Sequence, residues 1–429
     1  MRMAGRVAAA IEVLNEVFTQ HRPASEALKD WGKAHRFAGS TDRHAIGTLV
    51  YDTLRRRNTA AARMGDGRPR ALVLGVLREV WNLPADEIEN LCTEQHGPGV
   101  LSNAEKAALG REMRDDLPVH IRGDFPEWLL PSMIQVFGSR AAEEGAGLSQ
   151  RAPIDLRVNT LKADRDQLLV AFAKHGAEAG PLSPLCVRIK STDANTRNIN
   201  VEVEPAHGMG WFEVQDAASQ VAALMSGARP GETVLDLCAG AGGKTLALAA
   251  MLKNKGKVMA HDTDRHRLRP IFERMTRAGA TNIEIVAADE GSKLEGMGGG
   301  FDCVLIDAPC SGSGSWRRKP DAKWRLAEIQ LKQRIKDQRE VLEKGAALVK
   351  QGGRLVYITC SVLPEENTAQ IEAFLKAHKD FEIIPYAKQW AAAIGLPAPE
   401  SADGSRDTLL LTPARHGTDG FFIGVMRRT

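Results

Sequence analysis

An α/β fold, with a parallel sheet wrapped by helices in the second half of the chain, is predicted by three observations. From residue 213 onward, short apolar runs alternate with segments of helical spacing, and each run stops at a turn or a polar residue. The strand cores are expected at residues 233–237, 258–260, 283–287, 303–306 and 355–358. Ligands of such open sheets bind just beyond the C-terminal ends of the strands, so the residues there are the first candidates for function.

The elements before the sheet read differently. Apolar residues recur at helical spacing at Ile11, Leu14, Val17 and Phe18, and again at Ile46, Leu49, Val50 and Leu54, which predicts a mostly helical segment over residues 1–125. Ser40 and Thr41 are candidate caps for the second helix, which ends in Arg55, Arg56 and Arg57, where cations suit the negative end of the helix dipole. Pro126, Pro131 and Pro153 bracket a helical stretch and a Gly- and Ala-rich turn, a composition that fits a linker. A strand turning into a helix after Leu156, with short strands at 187–189 and 201–203, predicts a small α+β unit before residue 212. The expected division is therefore 1–125, 126–212 and 213–429.

The 429 residues, 43% hydrophobic, are enough for two or three domains with substantial cores. The formal charge of +3 is too small to announce a polyanionic partner by itself. Six cysteines without CxxC spacing argue against a zinc site or a disulfide scaffold and read as reduced thiols. Glu12 and Asn15 interrupt any signal-peptide core, and no apolar run approaches the roughly 20 residues of a membrane span. A soluble, cytoplasmic protein, working without a membrane and as a monomer, is expected.

The first strand end continues into Cys238, Ala239, Gly240, Ala241, Gly242, Gly243 and Lys244, and a helix is expected to begin near Lys244. Glycines there allow a tight turn and close backbone approach, and a helix N-terminus offers free N–H groups, an arrangement suited to a nucleotide or nucleoside. Gly243, Lys244 and Thr245 resemble the end of a P-loop, but that motif needs glycine at position 238, where Cys238 stands. A P-loop NTPase or RNA remodelling factor is accordingly disfavoured. Asp262 ends the second strand, where a carboxylate can accept both hydroxyls of a ribose. Asp289 and Asp307 end the third and fourth. Singly, each aspartate is more often a turn former; three around one glycine loop point to a nucleoside-bearing cofactor with no metal.

Cys310 and Cys360 follow two further strand ends, each leading into a polar turn. Either thiol alone is more often a small buried hydrophobe, whereas two at the ligand edge of one sheet favour chemistry.

With these motifs the sequence resembles the class I S-adenosylmethionine methyltransferases, and more narrowly the Nop/Sun family of RNA cytosine-5 methyltransferases. That family's loop reads CAAPGGKT where this chain has CAGAGGKT, and it carries proline-cysteine and threonine-cysteine motifs, here Pro309–Cys310 and Thr359–Cys360. The resemblance implies S-adenosylmethionine as cofactor, without metal, held by the loop and by Asp262, Asp289 and Asp307. It also implies Cys360 as the nucleophile that adds to carbon 6 of cytosine, Asp307 against the base's N3 and amino edge, and Cys310 assisting the final elimination. DNA cytosine-5 methyltransferases instead use the proline-cysteine thiol, so the presence of both points to RNA.

The same family has RRxPDxKW where this chain has Arg317, Arg318, Lys323 and Trp324, and cations interleaved with rings are expected to contact RNA. RVNTLK, with Arg157 and Asn159, is similar to the family's RNA-recognition-like subdomain, and DGFFIGVMRR to its closing strand. The segment STDRHAIGTLVYDTLRRR is similar to the NusB-like domain of a family member acting on bacterial small-subunit ribosomal RNA. The whole resemblance implies an all-α NusB-like domain, a small α+β RNA-recognition-like subdomain and a Rossmann-like class I methyltransferase domain, with small-subunit ribosomal RNA as partner and transfer RNA as the nearest alternative.

Overall fold

The computed structural model describes residues 1–114, 116–191 and 199–429. The N-terminal segment folds as helices, among them Met3–Gln20, Ser40–Arg55, Arg57–Met64 and Pro69–Glu79. Leu14, Val17, Ile46, Leu49, Val50 and Leu54 are buried in one core with Leu72, Leu74 and Leu77, as their spacing predicts. The cap of the third helix differs from expectation. Gly39 is the N-cap, and Asp42 reaches back to accept its N–H at 3.3 Å, so Ser40 and Thr41 already lie inside the helix.

In the stretch read as a linker, the expected helix is Leu130–Phe137, and the expected Gly- and Ala-rich turn is a second helix, Ala141–Leu148. Their Met133, Phe137 and Leu148, with Phe125 and Leu129 just before them, belong to the same core as Leu235, Val304 and Leu355 of the large sheet. The glycines serve close packing rather than a turn: a Cβ on Gly145 would meet Phe125 at 2.6 Å, and one on Gly147 would meet Ala414 at 2.9 Å.

A four-stranded antiparallel sheet follows, built from β1 (Ile154–Val158), β2 (Glu178–Ala179), β3 (Cys186–Ile189) and β4 (Phe212–Val214) in the order β2-β3-β1-β4. Helix Arg165–Ala171 covers it through Leu168 and Phe172. The expected strand at 201–203 is a 3₁₀ turn. Asn200 Oδ1 accepts the Glu202 N–H at 3.1 Å, and this local bond favours a turn over an extended run.

The large sheet comprises β5 (Thr233–Asp236), β6 (Lys257–His261), β7 (Ile283–Val286), β8 (Phe301–Asp307), β9 (Val349–Thr359), β10 (Phe381–Ile383), β11 (Leu409–Leu411) and β12 (Phe421–Arg428). Its order is β10-β12-β9-β8-β5-β6-β7, with β11 paired to β12. Strands β5 to β9 are parallel to their neighbours, and β12 runs antiparallel to β9. The register sets Asp236 beside Ala260 and Leu305, and Asp307 beside Ile358, so the C-terminal ends of β5, β6, β8 and β9 form one edge. Strand order reverses at β5, the switch point where such sheets open a crevice.

Candidate active site

The glycine loop leaves β5 at that switch point and enters helix Gly243–Met251. Gly242 is its N-cap with φ 84°, a left-handed conformation, and a Cβ there would lie 2.4 Å from Ile271. The loop is tied down on every side. Ala239 N–H donates to His261 O at 2.9 Å, Gly240 N–H to Asp262 Oδ2 at 2.9 Å, and Arg274 to Ala241 O at 2.6 Å.

Beside the loop lies a cavity of about 610 Å³ whose wall includes Leu237, Cys238, Asp262, Arg267, Leu294 and Pro309. Its size and mixed lining suit a nucleoside. Asp262 accepts the backbone amides of Gly240 and Asp264, one on each oxygen, and Arg267 pairs with Oδ2 at 3.3 Å, which leaves Oδ1 with a lone pair for a further donor. Burial pushes the Cys238 thiol far up, so it stays protonated in this wall. Asp289 sits exposed in the turn Ala288–Glu290 after β7, outside the residues lining the cavity. Among the described residues no cluster of histidines, cysteines and carboxylates could hold a metal ion.

Lys244, 6% exposed, pairs with Asp307 across the sheet edge, Nζ to Oδ2 at 2.7 Å. Beneath them Asp236 is fully buried and accepts the Thr245 hydroxyl at 2.7 Å. Burial raises its carboxyl to about 7, and its Oδ1 has no partner.

Cys310 and Cys360 meet at the ends of β8 and β9, Sγ to Sγ at 3.4 Å. The hydrogen bond to Cys360, and then burial, hold the Cys310 thiol well above its usual range, so Cys310 is the member that keeps its proton. Three further groups fix the pair. Gly314 N–H donates to Cys360 O at 2.9 Å. Glu366, buried and raised by burial, accepts the Ser311 N–H at 2.7 Å and Gln338 Nε2 at 3.1 Å. Asn367 accepts the Thr359 hydroxyl at 2.6 Å and donates to Ser361 O at 2.9 Å. Sequence reasoning did not single out Lys244 as the partner of Asp307, nor Asp236, Gln338, Glu366 and Asn367. The polar cluster Glu365, Glu366 and Asn367, so soon after Cys360, was the available signal.

Of the expected RNA contacts, those of Arg157, Asn159, Lys323 and Trp324 need correction, and Arg317 and Arg318 are held by carboxylates. Arg157 is 3% exposed and donates to Gly243 O and Gln215, anchoring the glycine loop from behind. Asn159 is buried and donates to Gly210 O and Ala278 O, both at 2.8 Å. Arg317 is buried against Asp216 and Asp419. Arg318 shares the same carboxylates but keeps a third of its side chain exposed. Lys323, 1% exposed, donates to Ser149 Oγ at 2.8 Å and Arg55 O at 3.2 Å, and Trp324 Nε1 donates to Leu54 O at 2.6 Å. Lys323 and Trp324 thus cap the carbonyl end of helix Ser40–Arg55 instead of facing a nucleic acid.

Comparison with known proteins agrees with this architecture. The model of the 16S rRNA methyltransferase RsmB/F family matches residues 223–427, and that of the ferredoxin-like domain of RsmF/B-like methyltransferases matches residues 125–194. The chain is 32% identical to the probable ribosomal RNA small subunit methyltransferase B of Synechocystis sp., over 78% of this chain and 71% of that one. It is 38% identical to the Bacillus subtilis protein with the same description, over 71% of this chain and 66% of the other. Among solved structures, the crystal structure of PH0851 superposes with a TM-score of 0.74 at 26% identity, covering 100% of this chain and 99% of that one.

Proposed function

Because the chain belongs to the RsmB/F family of methyltransferases, we propose that it methylates carbon 5 of a cytosine in 16S ribosomal RNA, with S-adenosylmethionine as donor and Cys360 as covalent nucleophile. The observation that carries the reading is the pair of thiols 3.4 Å apart at neighbouring strand ends, beside the Lys244–Asp307 pair.

S-adenosylmethionine, when bound, supplies a methyl group on a positively charged sulfur. The glycine loop, Asp262 and the apolar wall of Leu237 and Leu294 would hold it, Asp262 taking a ribose hydroxyl on the free lone pair of Oδ1. Asp307 stands two residues before Pro309 of the lining, whereas Asp289, exposed in the turn after β7, lies outside it.

Cytosine carbon 5 is a weak nucleophile until a group adds to carbon 6. The Cys360 sulfur forms that bond, the ring's electrons move to N3, which takes up a proton, and Asp307, oriented by Lys244, faces the N3 and amino edge and favours that protonated form. The Cys310 thiol, held above its usual range, keeps its proton 3.4 Å from the Cys360 sulfur. Once carbon 5 is alkylated, a base takes its proton and the carbon 6–sulfur bond breaks, a step that Cys310 assists. A base extruded from a loop or an opened helix costs a few kcal/mol less to enclose than one in a stable duplex. Residues 1–125 would act as a NusB-like RNA-binding part and residues 126–212 as the RNA-recognition-like unit.

Purified protein, labelled S-adenosylmethionine and unmodified 16S transcript test the reading. Cys360→Ala is expected to abolish transfer, whereas Cys310→Ala is expected to accumulate a protein–RNA adduct that survives denaturant. The opposite pattern would reverse the roles of the two thiols, and transfer to RNA by neither variant nor wild type would remove the reading.

A further inference from the structure

Between helix Ser40–Arg55, the approach to β1 and the loop after Cys310 runs a groove of about 490 Å³. Its basic lining is Arg43, His44, Arg55, Arg151, Arg317 and Arg318, and among the described residues no carboxylate lines it. Carboxylates stand behind the wall instead. Asp52, 2% exposed, takes Arg55 and Arg151, each at 3.0 Å; Asp216 takes Arg317 at 3.0 Å and Arg318 at 2.8 Å; Asp419 takes Arg318 at 2.6 Å and also Arg317. Among the described residues, the five guanidiniums thus outnumber the three carboxylates Asp52, Asp216 and Asp419 that stand behind them.

This division of labour matters physically. Carboxylates buried on the far side hold four of the guanidiniums in fixed orientations, so little side-chain entropy remains to be lost when an anion arrives. Among the described residues Arg43 pairs with no carboxylate; it is exposed and donates only to Ala38 O at 3.0 Å. The half-buried ring of Tyr51 lies along the same wall, under the Arg55 guanidinium at 6.0 Å. The far wall belongs to the active-site loop, because Arg317 and Arg318 follow the turn Ser313–Ser315 whose Gly314 N–H bonds Cys360 O.

We propose that this groove carries the phosphodiester backbone of the RNA substrate toward the cysteine pair, joining the helical segment and the catalytic half in one binding track. The inference rests on the reading of the chain as an RNA methyltransferase and adds where the strand runs. The contacts are to phosphate, so they position the RNA without reading its sequence.

The test measures binding of a labelled 16S transcript across a salt series, for wild type, Arg43→Gln and Thr48→Asp. Thr48 lines the groove, so an aspartate there adds a negative charge while leaving every existing ion pair in place. Arg43→Gln is expected to weaken binding about tenfold and to reduce the slope of log affinity against log salt by about 0.7 to 1, one phosphate contact's worth. Thr48→Asp is expected to weaken binding by at least as much and to raise KM for RNA. Wild-type affinity and slope in both folded variants would overturn the groove while leaving the RNA reading intact. A wild-type protein that does not bind the transcript would overturn both.

Discussion

Lys244 is nearly buried, and its ammonium pairs with the half-exposed Asp307 at 2.7 Å and lies over the Phe421 ring at 5.2 Å. That pairing holds Asp307 at the sheet edge where a base would lie. Lys244→Met removes the charge and leaves the stem. It is expected to lower kcat/KM for methyl transfer by about 100-fold, the scale of losing one preorganised electrostatic contact. The thermal midpoint should move little, because Asp307 can turn to water. A large loss of stability with unchanged turnover of the folded fraction would assign Lys244 a purely structural role. Asp236 below it is raised to about 7 by burial, so it carries a proton over much of the acidic range. Its raised value means that stability from this site is full below about 3.8 and is lost as pH rises toward 7. Asp236→Asn, which keeps an acceptor for Thr245, is expected to remove that loss, visible as a smaller fall in the unfolding midpoint between pH 4 and pH 7 than in wild type.

At the scale of elements, the two thiols are held by the contact between the loop after β8 and the start of β12. Gly420 N–H donates to Gly314 O at 2.8 Å, and a Cβ on Gly314 would lie 2.0 Å from Gly420 O. Backbone meets backbone there, so no side-chain rotation can relieve the clash. Gly314→Ala is expected to cost about 3 kcal/mol in denaturant unfolding and to lower kcat with it, since Gly314 also bonds Cys360 O. The five strand cores of the large sheet and the glycine-loop helix were legible because buried parallel strands and their turn residues leave local marks in sequence. So were Cys310 and Cys360, which stand just past strand ends. The burial of Arg157, Asn159, Arg317 and Lys323 was not legible. Their partners, Gly243, Ala278, Asp216 and Ser149, are far away in the chain, and a cation beside an aromatic ring looks the same in a one-dimensional string whether it faces RNA or a neighbouring helix. The helix Ala141–Leu148 was misjudged for a related reason: glycine chosen for close packing reads locally as glycine chosen for a turn.

Across the whole molecule, the helical segment and the catalytic half are fastened by Lys323 and Trp324, which cap the carbonyls of Arg55 and Leu54. Lys323 lies above Trp324 at 4.9 Å, and Arg57 stacks on the same ring at 5.0 Å. Burial lowers the Lys323 ammonium from its ordinary 10.5 to about 7. Between those values the unfolded chain holds a proton that the folded chain lacks, so stability rises with pH from about 7 to about 10.5 and falls as pH drops toward 7. The slope from one such group is up to about 1.4 kcal/mol per pH unit. Lys323→Met is expected to flatten that rise between pH 7 and pH 9, measured by chemical denaturation. An identical slope in the variant would show that Lys323 is charged and paired when folded.

The covalent role of Cys360 is tested most directly by trapping it. RNA carrying 5-fluorocytidine at the target position cannot lose a proton from carbon 5, so with S-adenosylmethionine present the adduct should stay on the protein. Digestion and mass spectrometry are expected to find the nucleotide on the peptide containing Cys360. A nucleotide on the Cys310 peptide, or no adduct with RNA that the enzyme otherwise methylates, would contradict it.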